Sequence, residues 1–492
     1  MVMKLEAAKF HGLGWRRLTP LLLLAVFLAA CTSLGQLSPQ VLSDESSKQS
    51  EATPEAQREH ARILATYGGE YDNPRLQGLV EHTVERLVAA SERPDLHYRV
   101  TILNSPSVNA FALPTGQLYV TRGLAALAND TAELASVLSH EMSHVIARHA
   151  AIRENQARQV ALINDVVNQV LSDPETGALA LAKSKIALAS FSRAQEFEAD
   201  GIGVGISARA GYDPYGTVRF LNSMGRNAEL KSTASSGANP YAFDFLSSHP
   251  ATPDRVTNAV NRARQFSAPD TGERARSDFL ASIDGLVYGE DPNEGFVRGR
   301  RYLHPKLGFT FTAPESFTLH NTAQAVLGTK ENGEQAMRLD VVRVPAEQTL
   351  GDYLTSGWIE NVDKSSVENI TINGLTGAAA TAKGDEWSFR LYAVRFGSEV
   401  YRFVFASKQA TAQSDRAFHN SINSFRRMTL TEIKDARPLR IKVVTVTPSD
   451  TVKRLAARMA ISDRPLERFL VLNGLVPGQK LKPGDQVKIV VE

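Results

Sequence analysis

Residues 130–149 read DTAELASVLSHEMSHVIARH. Apolar side chains recur at Leu134, Val137, Leu138, Val145 and Ile146, the spacing of one helical face. Asp130 stands three residues before Glu133, which predicts a helix start with reciprocal capping. On such a helix His140 and His144 share a face, so two imidazoles can grip a single metal ion. Glu141 stands beside the first ligand but outside the ligand set. There it can take a proton from water on the metal, and the metal this spacing suits is zinc.

A two-histidine grip needs a third ligand. Arg193-Ala194-Gln195-Glu196-Phe197-Glu198-Ala199-Asp200-Gly201 supplies candidates. A helix here is expected to end near Gly211, with Pro214 just beyond. Glu196 and Asp200 are four apart and share a face, whereas Glu198 points roughly the opposite way. Glu196 is therefore assigned to zinc. Asp200 is expected to accept a hydrogen bond from the far nitrogen of a ligand imidazole, and Glu198 is the competing carboxylate.

Upstream, helical patterning runs from about Arg58 through Leu64, and again over Leu76–Ala90. Tyr98–Leu103 alternates as a strand, and Asn109–Thr121 reads as two short strands around a Pro114-Thr115-Gly116 turn. A strand just ahead of a metal-binding helix can serve as an edge to which a peptide adds; Asn109, Ala110, Phe111 and Ala112 are its candidate contacts. Downstream, residues 151–190 are helix-forming and broken at Asp173-Pro174, either a lid or a packed helical hairpin.

The chain has 492 residues, enough for about three domains. A net charge of +2 without a basic tract gives no reason to expect a nucleic-acid partner. Lys4, Lys9, Arg16 and Arg17 precede an apolar run, Leu21–Ala30, the pattern of a secretion signal. The run ends in Leu28-Ala29-Ala30-Cys31, and Cys31 is the single cysteine, so no disulfide forms within the chain. These residues resemble the lipobox of bacterial lipoproteins. The resemblance implies removal of a signal peptide (1–30), lipidation of Cys31 and a periplasmic location, anchored to the outer membrane because Thr32 follows the cysteine. Residues 31–55, rich in Ser, Gln, Glu and Pro, read as a tether.

The order Asn-Ala-Phe-Ala, His-Glu-x-x-His, Glu-x-x-x-Asp resembles the zinc peptidase family that includes the CAAX prenyl endopeptidase and the HtpX and BepA proteases of bacteria. The resemblance covers residues 55–265. It implies one Zn²⁺ per chain on His140, His144 and Glu196, with Glu141 as base, Asp200 supporting a ligand, and Asn109–Ala112 as the substrate strand. The family also carries a His-Pro segment followed by an arginine, here His249-Pro250 and Arg255. In some relatives that histidine reaches the zinc and blocks it. His249 is expected to do so, to orient substrate, or only to precede a helix capped by Thr252 or Asp254. Arg255 is expected to pair with Asp200 or to face substrate.

The expected fold is multidomain α+β. A mainly helical zincin-type metallopeptidase domain with a small edge sheet (56–265) is followed by a charged linker containing a helix (266–300). An antiparallel α+β domain (301–430) comes next, with strands near 309–311, 337–344, 387–396 and 400–405, a Gly397-Ser398 turn, and helices near Leu350–Val362 and Asp415–Phe425. The end (437–492) resembles the LysM module, with strand, helix, helix and strand in order; it departs from that family at Ser449, where glycine is usual. The LysM resemblance implies binding of N-acetylglucosamine-containing glycan such as peptidoglycan. The function expected is a zinc-dependent endopeptidase acting on unfolded or stalled envelope proteins. The rival readings are a chaperone or assembly scaffold with a latent peptidase, and, ranked lower, peptidoglycan hydrolysis.

Overall fold

The computed structural model describes residues 53–153, 155, 191–232, 245–330 and 333–492. The signal peptide, Cys31, nearly all of the tether and most of the hairpin expected over 151–190 lie outside the described residues. Helices α1 (Pro54–Thr66) and α2 (Pro74–Ala89) begin the same way. A Thr53 or Asn73 side chain caps the first turn and proline occupies it, where a missing N–H costs nothing.

Strands β1 (Arg99–Leu103), β2 (Ala110–Ala112) and β3 (Gln117–Thr121) form a sheet in the order β1-β3-β2. β1 runs parallel to β3 and β2 antiparallel, which leaves β2 as an edge. The chain then turns through α3 (Arg122–Leu127) into α4 (Thr131–Ile146). Every residue of α4 from Thr131 to His144 is buried. Asp130 Oδ1 accepts from the N–H of Glu133 at 2.8 Å, as expected. The return bond is displaced by one residue: Glu133 Oε2 accepts from the N–H of Asn129 at 2.9 Å. The helix also stops earlier than the sequence pattern suggests. Arg148 takes φ 54°, a left-handed conformation that no α-helix continues through, and it re-aims His149.

Helix α5 (Arg193–Arg209) opens with a Ser192/Gln195 capping box and lies along α4. Gly203 permits the close approach, since a Cβ there would stand 3.1 Å from the backbone nitrogen of His140. Helices α6 (Gly216–Ser232), α7 (Phe245–Ser248) and α8 (Pro253–Ala263) complete the cover.

Within the stretch expected as a linker, α9 (Arg276–Ile283) sends Phe279, Leu280 and Ile283 into the core that also holds α2 and α4, followed by Leu286 and β4 (Val287–Tyr288). Strands β5 (Phe296–Arg298), β6 (Arg301–His304) and β7 (Phe309–Thr312) lead into a seven-stranded antiparallel sheet ordered β11-β12-β13-β14-β10-β9-β8. Its members are β8 (Phe317–Asn321), β9 (Val326–Lys330), β10 (Gln335–Val342), β11 (Val362–Ile372), β12 (Leu375–Lys383), β13 (Ser388–Phe396) and β14 (Glu399–Ser407).

The helix expected over Leu350–Val362 is only α10 (Leu350–Leu354), and Val362 already begins β11. Gly357 and Asn361, both at positive φ, break the pattern between them. Under α10 the sheet presents Ala378, Ala380, Ala382 and Ala393, small enough for close packing. The other face carries Phe403 and Phe405 against Phe418 of α11 (Ala412–Asn423) and Phe425.

Beyond β15 (Arg426–Arg427) and α12 (Leu430–Asp435), the chain ends in β16 (Leu439–Thr445), α13 (Val452–Ala457), α14 (Pro465–Leu472) and β17 (Gln486–Val491). β16 pairs with both β17 and β4. These last elements share one apolar core with α2 and α4. Among the described residues no helix is long and apolar enough to cross a membrane.

Candidate metal centre

Helix α4 brings His140 and His144 to one face, with Nε2 atoms 3.1 Å apart. Helix α5 supplies Glu196, whose carboxylate lies 3.6 Å from His140 Nε2 and 3.5 Å from His144 Nε2. The residue just after α7, His249, closes the set: its Nδ1 is 2.8 Å from Glu196 Oε1 and 3.3 Å from His140 Nε2. One donor atom from each of the four lies within 4.8 Å of the others, and all four side chains are buried. Ligands about 2.0–2.1 Å from a tetrahedral zinc stand about 3.3 Å from one another. The nitrogens and carboxylate oxygens present match that spacing and that preference for N and O donors, so the group is fit for one zinc ion.

The supports differ from ligand to ligand. His140 Nδ1 is 3.0 Å from Asp200 Oδ1. Asp200 in turn takes two bonds of 2.7 Å from the Nε and Nη2 of Arg255. Arg255 Nη1 also stands 2.6 Å from Glu196 Oε2. Arg255, expected to pair with Asp200 or to face substrate, pairs with Asp200. Thr252 caps α8 while His249 enters the donor set, so capping and metal-side placement coexist in one segment. Glu198 stays outside, with 59% of its side chain exposed.

Burial sets the electrostatics. It pushes the Glu141 carboxyl well above the usual carboxylate range, and neighbouring Glu196 adds to this; the backbone N–H of Ala112, on the edge strand, bonds the same carboxylate. Among the described residues Glu141 Oε1 has no hydrogen-bond partner. Burial drives His140 and His144 below their ordinary values, and His249 down to about 3 with help from Arg255. Burial would raise Asp200, but the bonds from Arg255 and His140 overcome it and hold Asp200 at about 2. The imidazoles are thus neutral with lone pairs free, as metal ligands must be.

The edge strand lies against this end of α4. Ala110–Ala112 form β2, and Asn109 at its head donates from Nδ2 to Tyr67 Oη at 3.1 Å. Phe191 stacks on His144 with ring centres 4.0 Å apart, and Phe245 on His249 at 4.4 Å. The sequence reading gave no role to Phe191, Phe245 or His149. His149 Nδ1 lies 2.9 Å from His144 Nδ1. It stood inside the motif stretch, but five places after His144 on a continuous helix it would have faced elsewhere.

Known proteins resemble the part of the chain that holds this site. Residues 74–263 match the family model described as Peptidase family M48. The beta-barrel assembly-enhancing protease of Yersinia pestis is 29% identical over 234 residues, covering 45% of this chain and 46% of that protein. Its Escherichia coli K12 counterpart is 27% identical with the same coverage. The mitochondrial metalloendopeptidase OMA1 of Schizosaccharomyces pombe is 31% identical over 178 residues, 36% of this chain and 50% of that one. The chain spans about half the length of these relatives. The stretch similar to Peptidase family M48, residues 74–263, holds all four of the buried donor residues, whose chemistry suits zinc.

Proposed function

We propose that this protein is a zinc-dependent endopeptidase of the cell envelope that cleaves unfolded or stalled envelope proteins, with zinc on His140, His144 and Glu196. The observation that carries the reading is the buried four-donor group with Glu141 beside it and outside it. The chemistry a bound zinc supplies is polarisation of the scissile carbonyl and a water pKa lowered towards about 7.

The rest falls to the chain's own residues. Glu141 takes the proton from the attacking water and later passes it to the departing amine. Asp200 and Arg255 fix the His140 ring. The peptide lies extended along β2, the edge strand, over Asn109–Ala112. His249 stands where the reacting groups must sit, so the resting site is closed and His249 withdraws for turnover.

Replacing Glu141 with Gln while zinc stays bound is expected to lower casein cleavage by about 10²–10⁴-fold, the usual worth of a general base. Undiminished cleavage overturns the mechanism. The placement of His249 also favours a second reading, a chaperone or scaffold whose peptidase is latent. Full rescue of a deletion phenotype by Glu141→Gln would select it.

The lipobox resemblance supports the proposed location: secretion, lipidation at Cys31 and anchoring to the outer membrane. Radiolabelled palmitate incorporation lost in Cys31→Ser tests it. Peptidoglycan glycan is the partner the end of the chain suggests. The Asn473–Leu475 loop is not free for it, because Arg226 donates to the carbonyl of Leu475 and Asn473 is buried. Co-sedimentation with purified sacculi decides whether the rest of this module binds glycan.

A further inference from the structure

The two imidazoles proposed to hold zinc are supported unequally. His140 leans directly on a buried carboxylate. His144 leans on a second imidazole: its Nδ1 is 2.9 Å from His149 Nδ1, and His149 Nε2 is 3.2 Å from Glu198 Oε2. His149 is 1% exposed. The positions of the hydrogens follow from the contacts. A His144 that offers its Nε2 lone pair to a metal carries its proton on Nδ1, and must donate there. His149 Nδ1 then accepts, so His149 carries its own proton on Nε2 and donates it to Glu198. The sequence His144 to His149 to Glu198 is satisfied in one direction only.

We propose that His149 and Glu198 form a positioning relay that fixes the tautomer and ring angle of His144, the counterpart of Asp200 and Arg255 behind His140. The relay explains three otherwise separate facts. Arg148 adopts a left-handed conformation directly before His149, which turns the chain back beneath the ligand. Glu198, on the face of α5 opposite the metal, still reaches the site through an intermediary. Phe191 covers the His144 ring at 4.0 Å, and the guanidinium of Arg153 stands 4.4 Å over the Phe191 ring, so the relay's inner end is shielded while its carboxylate end meets water. Partners of this kind around metal-bound histidines are worth about 10–100-fold in affinity.

The inference rests on the proposed zinc site, and the experiment separates the two. In the full chain, zinc affinity is measured by chelator competition, and the visible spectrum is recorded after cobalt substitution. His149→Phe is expected to weaken zinc about 10–100-fold and shift the cobalt bands. His149→Gln returns an acceptor to His144 and is expected to recover most of both. Glu198→Ala is expected to weaken zinc less than His149→Phe, and to add nothing to it in the double variant. His140→Ala serves as control. Retention of zinc by His140→Ala defeats the metal site itself. Loss in His140→Ala with affinity within twofold of the parent in His149→Phe defeats the relay alone. So does a His149→Gln no better than His149→Phe. Should His149→Phe not fold, the Gln variant and Glu198→Ala decide the matter by the same affinities and spectra.

Discussion

Helix α4 carries two clusters of buried charge about 15 Å apart along its axis, at 1.5 Å per residue, and they are built on opposite plans. At its start, Asp130 and Glu133 meet Arg274 at 2.8 Å and Arg219 at 3.4 and 3.5 Å. Arg276 donates to the carbonyl of Asn129 at 2.7 Å. Lys488, fully buried on β17, places its ammonium on the carbonyls of Ala126, Ala128 and Leu127 at 2.7, 2.6 and 3.3 Å. Cations there face the carbonyl end of α3, and carboxylates the amide end of α4, as helix dipoles prefer. At its far end, acidic and imidazole groups crowd together; among the described residues Glu141 Oε1 has no hydrogen-bond partner, and only Arg255 brings a positive charge into direct contact. The first cluster holds the helix; the second holds open a demand for a cation.

If that contrast is right, the two ends respond to substitution in opposite currencies. The largest effect belongs to the far end. Glu141→Gln is expected to remove about 10²–10⁴-fold of activity and to leave the metal-free protein equally or more stable, because it neutralises a carboxylate that burial disfavours. Urea denaturation beside a peptidase assay separates the two, and a marked loss of stability would erase the contrast. Next comes Lys488→Met. It strips three carbonyls of their donor and should cost about 2–4 kcal/mol of stability, by analogy with orphaned buried groups, while the surviving folded fraction keeps its turnover.

The difference also explains what could be read from the chain. The metal end was legible because its logic is local: four-residue spacing on α4 and four-residue spacing on α5. Of the supporting end, only the capping Asp130 was. Lys488 occupies one slot of the alternation Val487-Lys488-Ile489, which reads as a strand with its lysine in water. In the fold both faces of β17 are covered, and Lys488 meets carbonyls 360 residues earlier in the chain. The many charges of residues 266–300 suggest a linker, although Arg274 meets buried Asp130 and Arg276 the carbonyl of Asn129. In the middle domain, the Asn373-Gly374 turn with both residues at positive φ joins β11 to β12. It is a strong hairpin signal, overshadowed by a β11 rich in Asp, Lys, Ser and Glu and a β12 rich in alanine.

Two glycines sharpen the comparison at smaller scale. Gly203→Ala presses a methyl to 3.1 Å from the His140 backbone. Overpacking of this kind costs about 1–3 kcal/mol, and here it should also weaken zinc by tilting His140. Gly78, inside α2, has nothing within 4 Å of an added Cβ. Gly78→Ala is expected to stabilise by about 0.5–1 kcal/mol through helix propensity alone, with zinc affinity unchanged. Equal effects of the two on zinc would mean that the α4–α5 contact does not set the ligand geometry.

The smallest effect tests the charge plan at the start of α4 through pH. Burial, reinforced by Asp130, lifts the Glu133 carboxyl to about 7, whereas an unfolded glutamate titrates near about 4.3. The folded chain therefore holds this proton more tightly than the unfolded chain does. Its contribution to stability is present in full below the unfolded value and is lost as pH rises towards 7, by up to about 1.4 kcal/mol per unit within that window. Glu133→Gln keeps an oxygen for the N–H of Asn129 but cannot ionise, so its stability should vary less between pH 5 and 7 than the parent's. Denaturation midpoints across that range give the comparison. Parallel pH profiles for parent and variant would mean that Arg219, Arg274 and Lys488 already hold Glu133 ionised in the folded chain, and that the start of α4 is more completely paired than its proton affinity implies.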